Sequence, residues 1–416
     1  MKKNIIIFAI LIMGFSLRAE PLKNDENMNQ IKEFAKELLY KKEDVDAWVN
    51  GKLPFGQYDS ELGWLVKNCR VQDGVDGSWS TYNYEDDGQG CRKIINYADK
   101  KCRINSYGDS FTQCHQVSDG ETWQEILAAH LGEPIRNFGV GGWSVYQAYL
   151  RMKREEKKTP AEYIIFNIWG DDHFRNLDAW RKIRVPQMKG FGEPTLPYVE
   201  VNPETKKFKE CPNPCPTKKS VYNLCDLDWV VNRFKDDFVF NNMLAHKNAA
   251  DMEVDRSYDK IKNLATTFGI NTKIDDADSI SKVAVELHVK AALYASMRIV
   301  ELVEEFAKKN NKKVLYVLSF GGYDIAKMIN EGTRFDKEFV DFMKKKKLPY
   351  VDLMDAHLED YAKYKISVEE YLKQYFIGHY NPRGNFFHAW ALKNKLVEIL
   401  NPKPVAYPNG LLPSLK

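Results

Sequence analysis

The period of the apolar positions changes several times along this chain, and those changes mark out its elements. From Cys102 onward, short apolar runs alternate with stretches of helical period. The runs cover residues 103–107, 134–140, 163–169, 313–319 and 349–353. The helical stretches cover 121–131, 145–157, 283–309, 333–346 and 385–400. Strands alternating with helices at this spacing predict an α/β domain with a parallel sheet and right-handed crossovers.

Two regions interrupt the rhythm. Residues 20–101 open with an amphipathic helix (27–43) that carries Ile31, Phe34, Leu38 and Leu39 on one face. They continue as a Gly-, Asp-, Tyr- and Trp-rich stretch without helical period. Short strands are expected at 62–66 and 93–97, so this part is predicted to be an N-terminal decoration with a small antiparallel flap. Residues 174–283 are too long for a plain connection and predict an inserted subdomain. The core is therefore expected over 102–173 and 284–402. Between the fifth strand and the last helix lies a polar, tyrosine-rich linker.

The first residues change the picture of where the protein works. Lys2 and Lys3 precede about a dozen apolar residues, and Ser16-Leu-Arg-Ala19 follows. That run is too short for a mature membrane anchor and predicts a signal peptide over residues 1–19, hence a secreted or periplasmic protein with no anchor after cleavage. The whole chain carries 61 basic and 58 acidic side chains. Loss of Lys2, Lys3 and Arg18 with a leader leaves the two signs equal, which gives no footprint for nucleic acid or an anionic membrane. All seven cysteines lie beyond the leader, which in an oxidising compartment predicts disulfides with one thiol left over. Cys211-Pro-Asn-Pro-Cys215 has no histidine pair nearby and is expected to be a disulfide-stapled loop rather than a metal site.

Candidate chemistry gathers at the carboxyl ends of the predicted strands, the edge where open α/β sheets hold ligands. Gly108-Asp109-Ser110 follows the first strand at a turn into a helix. There a hydroxyl is exposed beside backbone N–H groups able to hold an oxyanion. Asn137-Phe-Gly-Val-Gly-Gly142 follows the second strand, Gly170-Asp171-Asp172-His173 the third, and His379 precedes the last helix. Alone, Gly-Asp-Ser is ordinary turn chemistry. In this order the blocks resemble the SGNH, or GDSL-type, hydrolase superfamily. The resemblance covers roughly 102–173 and 284–400.

That resemblance implies a flavodoxin-like three-layer sandwich around a five-stranded parallel sheet. It implies Ser110 as nucleophile and His379 as base, with Ser110, Gly142 and the residue at Asp171 forming the oxyanion hole. Asp109, Asn137, Asp172 and His173 would line the site. No cofactor or metal is implied. Two positions depart from the family pattern. Asp171 stands where the family has an Asn donor, and an ionised carboxylate only accepts hydrogen bonds. Either Asp171 is protonated, or the donors are only the N–H groups of Ser110 and Gly142, or a nearby side chain such as Asn176 or His173 substitutes. Phe376, not Asp, lies three residues before His379, so the imidazole is oriented by Asp352, Asp355, Asp360, Glu369 or Glu370, by a backbone carbonyl, or not at all, a Ser–His dyad working at reduced rate.

Rivals remain for the base. His357 is expected in the loop after the fifth strand, and His388 as a packed histidine of the last helix. Trp143, Tyr146 and Trp180 are either core or stacking platforms for a sugar. The expected function is a serine esterase acting on small acyl (acetyl) esters, on carbohydrate in particular. A sugar O-acyltransferase and a catalytically silent glycan-binding module are the alternatives.

Overall fold

The computed structural model describes residues 19–187, 194–202, 205–248, 259–271 and 277–409. Five strands hydrogen-bond into one all-parallel sheet: β1 (Ile104–Tyr107), β2 (Arg136–Asn137), β3 (Tyr163–Trp169), β4 (Lys313–Ser319) and β5 (Tyr350–Asp352). Their order is β5-β4-β3-β1-β2. This is the flavodoxin-like arrangement, in which the chain starts near the middle and winds outward in both directions.

The central strands are apolar on both faces because helices cover both. Ile164, Phe166 and Ile168 of β3 lie in one apolar layer with Tyr316 and Leu318 of β4. Ile165 lies in the other with Leu315 and Val317. Helices α1 (Trp123–Leu131) and α4 (Pro382–Ile399) pack together on the second side. Helices α2 (Val145–Glu155) and α3 (Ala277–Lys309) form the first. The sequence sets their starts by side-chain caps. Thr122 caps α1, Ser144 and Gln147 make a capping box on α2, and Asn381 caps α4 with Pro382 at its first position.

The N-terminal segment contains helices Ala19–Leu38 and Lys42–Val49. Two antiparallel hairpins follow, Gly56–Asp59 with Gly63–Val66 and Cys69–Val71 with Ser80–Tyr82. Its Phe34, Leu38, Trp48, Trp64 and Tyr82 belong to the same apolar cluster as Ile164 and Phe166, so it shares the core of the sheet. The inserted region contributes Val230, Phe234 and Phe240 to that cluster and adds a hairpin, Tyr198–Val201 with Phe208–Cys211.

Several expectations need correction. Residues 93–97 form no strand, because the Glu125 carboxylate takes the backbone N–H groups of Ile95 and Asn96 at 3.1 and 2.7 Å. The tyrosine-rich linker holds two helices, Leu353–Tyr361 and Val368–Lys373, capped by Asp352 and Ser367. All seven cysteines are free thiols, Cys211 and Cys215 included. Their loop is held by polar contacts instead: the Cys215 N–H donates to Asn213 Oδ1 (3.0 Å) and Thr195 Oγ1 (3.1 Å). Burial pushes the Cys69 and Cys114 thiols up to about 11 and about 12 and keeps them protonated. The signal-peptide reading falls, except for Ala19, outside the described residues. Among the described residues, no helix is long and apolar enough to cross a membrane.

Candidate active site

β1 ends at Tyr107, and Gly108 carries the chain into the turn. A Cβ at Gly108 would lie 2.8 Å from the Asn167 carbonyl oxygen, so no other residue fits against β3 there. Asp109 caps the helical turn Ser110–Gln113 by accepting the Phe111 N–H at 2.9 Å. Ser110 thus sits at a helix start, with its side chain at the strand end.

His379 reaches Ser110 from 269 residues away in sequence: Ser110 Oγ and His379 Nε2 are 2.8 Å apart. Ser110 Oγ is also 3.2 Å from Asp109 Oδ2. The shorter contact goes to the imidazole, which lies in line to take the hydroxyl proton. Burial, with the nearby Arg175 cation, pushes the imidazole down to about 4, so it is a neutral acceptor near pH 7.

The rival histidines do not serve. His357 lies inside helix Leu353–Tyr361, not in a loop, and is fully buried. Its two ring nitrogens are held by Tyr371 and Tyr380 hydroxyls at 2.9 and 2.8 Å. His388 stacks on Trp123 at 4.8 Å in the core, as its apolar neighbours predict. Trp143, Tyr146 and Trp180 are also buried, which settles them as core.

A cavity of about 300 Å³ opens on the pair, bordered by Ser110, Gly142, His379 and Arg175. Gly142 has φ +83°, a left-handed turn that brings bare backbone to the cavity. Trp48, Phe55, Trp64 and Val66, all from the N-terminal segment, form the apolar wall.

Asp171 is not an oxyanion donor. Its carboxylate accepts from Arg184 at 2.8 and 3.1 Å and from Arg175 Nε at 2.9 Å, with Arg181 at 3.7 Å. These guanidiniums outweigh burial and hold it ionised, well below the usual carboxylate range. Asp172 is buried, accepting from Trp169 N–H (3.0 Å) and Arg175 Nη1 (3.0 Å). Burial and the neighbouring Asp109 push it up.

His173 does not line the site either. It donates or accepts at Ser296 Oγ (2.7 Å) and packs edge-on against Phe339. Asn176 is spent on Tyr146 N–H and Ser296 Oγ, which rules out the other proposed substitute. Asn137 shapes the turn beneath Gly142 by accepting the Gly139 N–H at 2.9 Å.

The residue that the sequence reading missed is Arg175. It is 3% exposed, yet it borders the cavity. Asp171, Asp172 and the Trp143 carbonyl (3.1 Å) fix its guanidinium, and Trp169 lies beneath it at 4.9 Å. A signal existed: Asp171 and Asp172 stand four and three residues before Arg175, the spacing at which helical carboxylates meet a cation. Gln113 and His115 were missed as well. Gln113 Oε1 accepts from Gly141 N–H (2.6 Å) and from His115 Nε2 (2.8 Å), tying the two glycine-turn walls together.

The sheet order and the Ser110–His379 contact are those expected of an SGNH-type hydrolase. The fold is a flavodoxin-like α/β sandwich around a five-stranded parallel sheet. No family model matches the chain, and no curated protein matches it. Solved structures with a similar trace include a member of the lipolytic protein G-D-S-L family from Veillonella parvula, 12% identical with TM-score 0.31, covering 70% of this chain and 94% of that one. A GDSL-like lipase from Bacteroides thetaiotaomicron is 12% identical with TM-score 0.27, covering 73% of this chain and 90% of its own. An alpha/beta hydrolase enzyme from the metagenome of Lake Arreo is 11% identical with TM-score 0.31, covering 71% and 94%. The roles assigned to residues here rest on this chain's own geometry.

Proposed function

We propose that this chain is a secreted or periplasmic serine esterase that removes small acyl groups, acetyl in particular, from carbohydrate. The observation that carries the reading is the 2.8 Å contact between a buried strand-end serine and a neutral imidazole beside an open cavity.

His379 Nε2 takes the Ser110 proton as Oγ attacks the ester carbonyl. The oxyanion that forms is held by the N–H groups of Ser110 and Gly142, each worth about 3 kcal/mol in such sites. The Arg175 guanidinium replaces the side-chain donor that Asp171 cannot supply. The carbonyl re-forms as the C–O bond to the alcohol breaks, and the imidazolium protonates the departing alkoxide. Water, deprotonated by His379, then splits the acyl-serine ester, returns the proton to Ser110 and releases the acid. No cofactor is needed.

The tight wall of Trp48, Phe55 and Trp64 suits a short acyl group. A second cavity of about 560 Å³ lies along the same sheet edge, beyond Trp169 and Gly378. It carries Phe320, Tyr323 and Asp324, and Tyr323 is 79% exposed. Aromatic faces beside carboxylate acceptors suit a sugar ring as the alcohol portion.

The test is release of acetate from acetylated oligosaccharides and from p-nitrophenyl acetate by wild type and His379→Ala. Loss of about 10²–10⁴ in kcat in the variant supports the base assignment. Full activity in His379→Ala would sink it. Acylated acceptor sugar accumulating in place of free acetate would reassign the chain as a transferase. Glycan binding without turnover would make it a silent module.

A further inference from the structure

The imidazole of a Ser–His pair needs something to hold it and to favour its charged form in the transition state. In this chain the residue three before His379 is Phe376, and the nearby carboxylates are committed elsewhere. Asp352 pairs with Arg334 at 2.7 Å and caps the helix that follows it. Asp360 accepts from Tyr375 at 2.6 Å, Glu369 pairs with Lys373 at 2.7 Å, and Glu370 closes a capping box with Ser367. Asp355 is exposed. Among the described residues, no carboxylate hydrogen-bonds or ion-pairs with the His379 ring.

What does hold His379 is Gln116. Gln116 Oε1 accepts the His379 backbone N–H at 2.7 Å, although the residues are 263 apart in sequence. Gln116 has a left-handed backbone, φ +69°, a conformation that is costly for a residue with a side chain. Two contacts from the N-terminal hairpin keep it there. Its own N–H donates to the Tyr82 hydroxyl at 2.7 Å, and its Nε2 donates to the Asp73 carbonyl at 3.1 Å. The Tyr82 hydroxyl in turn donates to Asp73 Oδ2 at 2.8 Å. Asp73 lies in the loop between strands Cys69–Val71 and Ser80–Tyr82. Its second oxygen, Oδ1, is buried without a hydrogen-bond partner, and among the described residues no cation pairs with it.

We propose that Asp73 is the positioning residue of His379, acting through Tyr82 and Gln116 and through its uncompensated charge, in place of a carboxylate three residues before the histidine. The N-terminal hairpin is then part of the catalytic apparatus rather than a decoration. The charge logic agrees with the geometry. The titratable and charged groups around His379 among the described residues are Arg175 and Arg181 across the cavity, His115 with its ring 5.0 Å away, Asp109 beneath Ser110, and Asp73. His115 is held neutral by burial, and Asp109 lies 3.8 Å from Arg175. Arg175 opposes the imidazolium and Asp73 favours it.

The proposal rests on His379 being the base, so the first readout is independent of turnover. The His379 titration is followed by NMR of ring-labelled histidine in the full chain, wild type against Asp73→Asn. The expected result is a downward shift of His379 with His388 unmoved. For ester hydrolysis, Asp73→Asn should lower kcat about tenfold with KM within twofold, and move the acid limb of the pH–rate profile down. Asp73→Glu should restore part of kcat, and Tyr82→Phe, which removes both the acceptor of the Gln116 N–H and the donor to Asp73, should also lower kcat. An unmoved His379 titration with unchanged kcat in a folded Asp73→Asn protein overturns the proposal. A moved titration in an enzyme whose His379→Ala variant stays fully active would sink the base assignment instead.

Discussion

Replacing Arg175 by Met would test three consequences of one guanidinium at once. The side chain borders the cavity beside Ser110, and it joins Asp171, Asp172 and Asp109 at 2.9, 3.0 and 3.8 Å. As an oxyanion partner its loss should cost about 10²–10³ in kcat, or about 3–4 kcal/mol of transition-state stabilisation. As the cation between buried carboxylates its loss should cost about 3–5 kcal/mol of folding stability near pH 7. That deficit should shrink at lower pH, because burial already pushes Asp109 and Asp172 up and protonation relieves their repulsion. The third effect has a diagnostic sign. With burial, Arg175 depresses His379 to about 4, so the acid limb of wild-type activity is expected near that pH, with rate present above it and lost below. Without the cation the limb should move up toward the ordinary histidine value, opposite in direction to the shift expected for Asp73→Asn. Initial rates on p-nitrophenyl acetate between pH 4 and 8, with urea unfolding at pH 7 and 5, measure all three. Arg175→Lys keeps the charge and should leave the limb near its wild-type place while still losing rate. A folded Arg175→Met enzyme with kcat within threefold of wild type and an unmoved limb would refute the reasoning.

Other expectations follow from burial and exposure. His388→Ala should lower stability by about 2–4 kcal/mol, the usual cost of truncating a large buried side chain, with kcat per folded molecule unchanged; lost activity with intact stability would argue for a catalytic His388. Tyr323→Ala should raise KM for an acetylated oligosaccharide about 2- to 10-fold, the worth of one aromatic contact, and leave p-nitrophenyl acetate untouched; equal effects on both substrates would remove the sugar role from the second cavity. Burial depresses His357 and His388 to about 3 and His173 to about 4, so their contribution to stability is present above about pH 6.5 and is lost as pH falls toward those values. Asp178 and Asp237, raised by burial to about 6 and about 7, act in the opposite sense and blunt the loss. Urea melts at pH 7 and 5 should show lower stability at pH 5, and a gain there would contradict the accounting.

Much of the core was legible because periodicity is local. The five strands fell at or inside the expected runs, and the Gly108–Ser110 turn lay where a strand end should put it. β2 proved two residues long because Asn137 spends its side chain on the following turn, a side-chain choice that apolar patterning does not register. The helices of residues 353–373 were missed because their tyrosines face inward around His357, which reads in one dimension as a polar linker. Asp171 was placed in the oxyanion hole by alignment of blocks alone, and only three-dimensional packing brings Arg184 and Arg175 onto it. The clamp on His379 was out of reach for the same reason. Asp73, Tyr82, Gln116 and His379 meet only after the hairpin folds over the sheet edge, and no spacing along the chain encodes that meeting. The disulfides were inferred from a compartment, whereas the thiols are placed by packing.

The central claim is that Ser110 is a nucleophile activated by His379, and covalent labelling tests it most directly. A fluorophosphonate probe incubated with the full chain near pH 7, followed by peptide mass spectrometry, should place one adduct on the peptide containing Ser110. Labelling should vanish in Ser110→Ala and slow severely in His379→Ala. An adduct on another residue, or undiminished labelling of Ser110→Ala, would contradict the account.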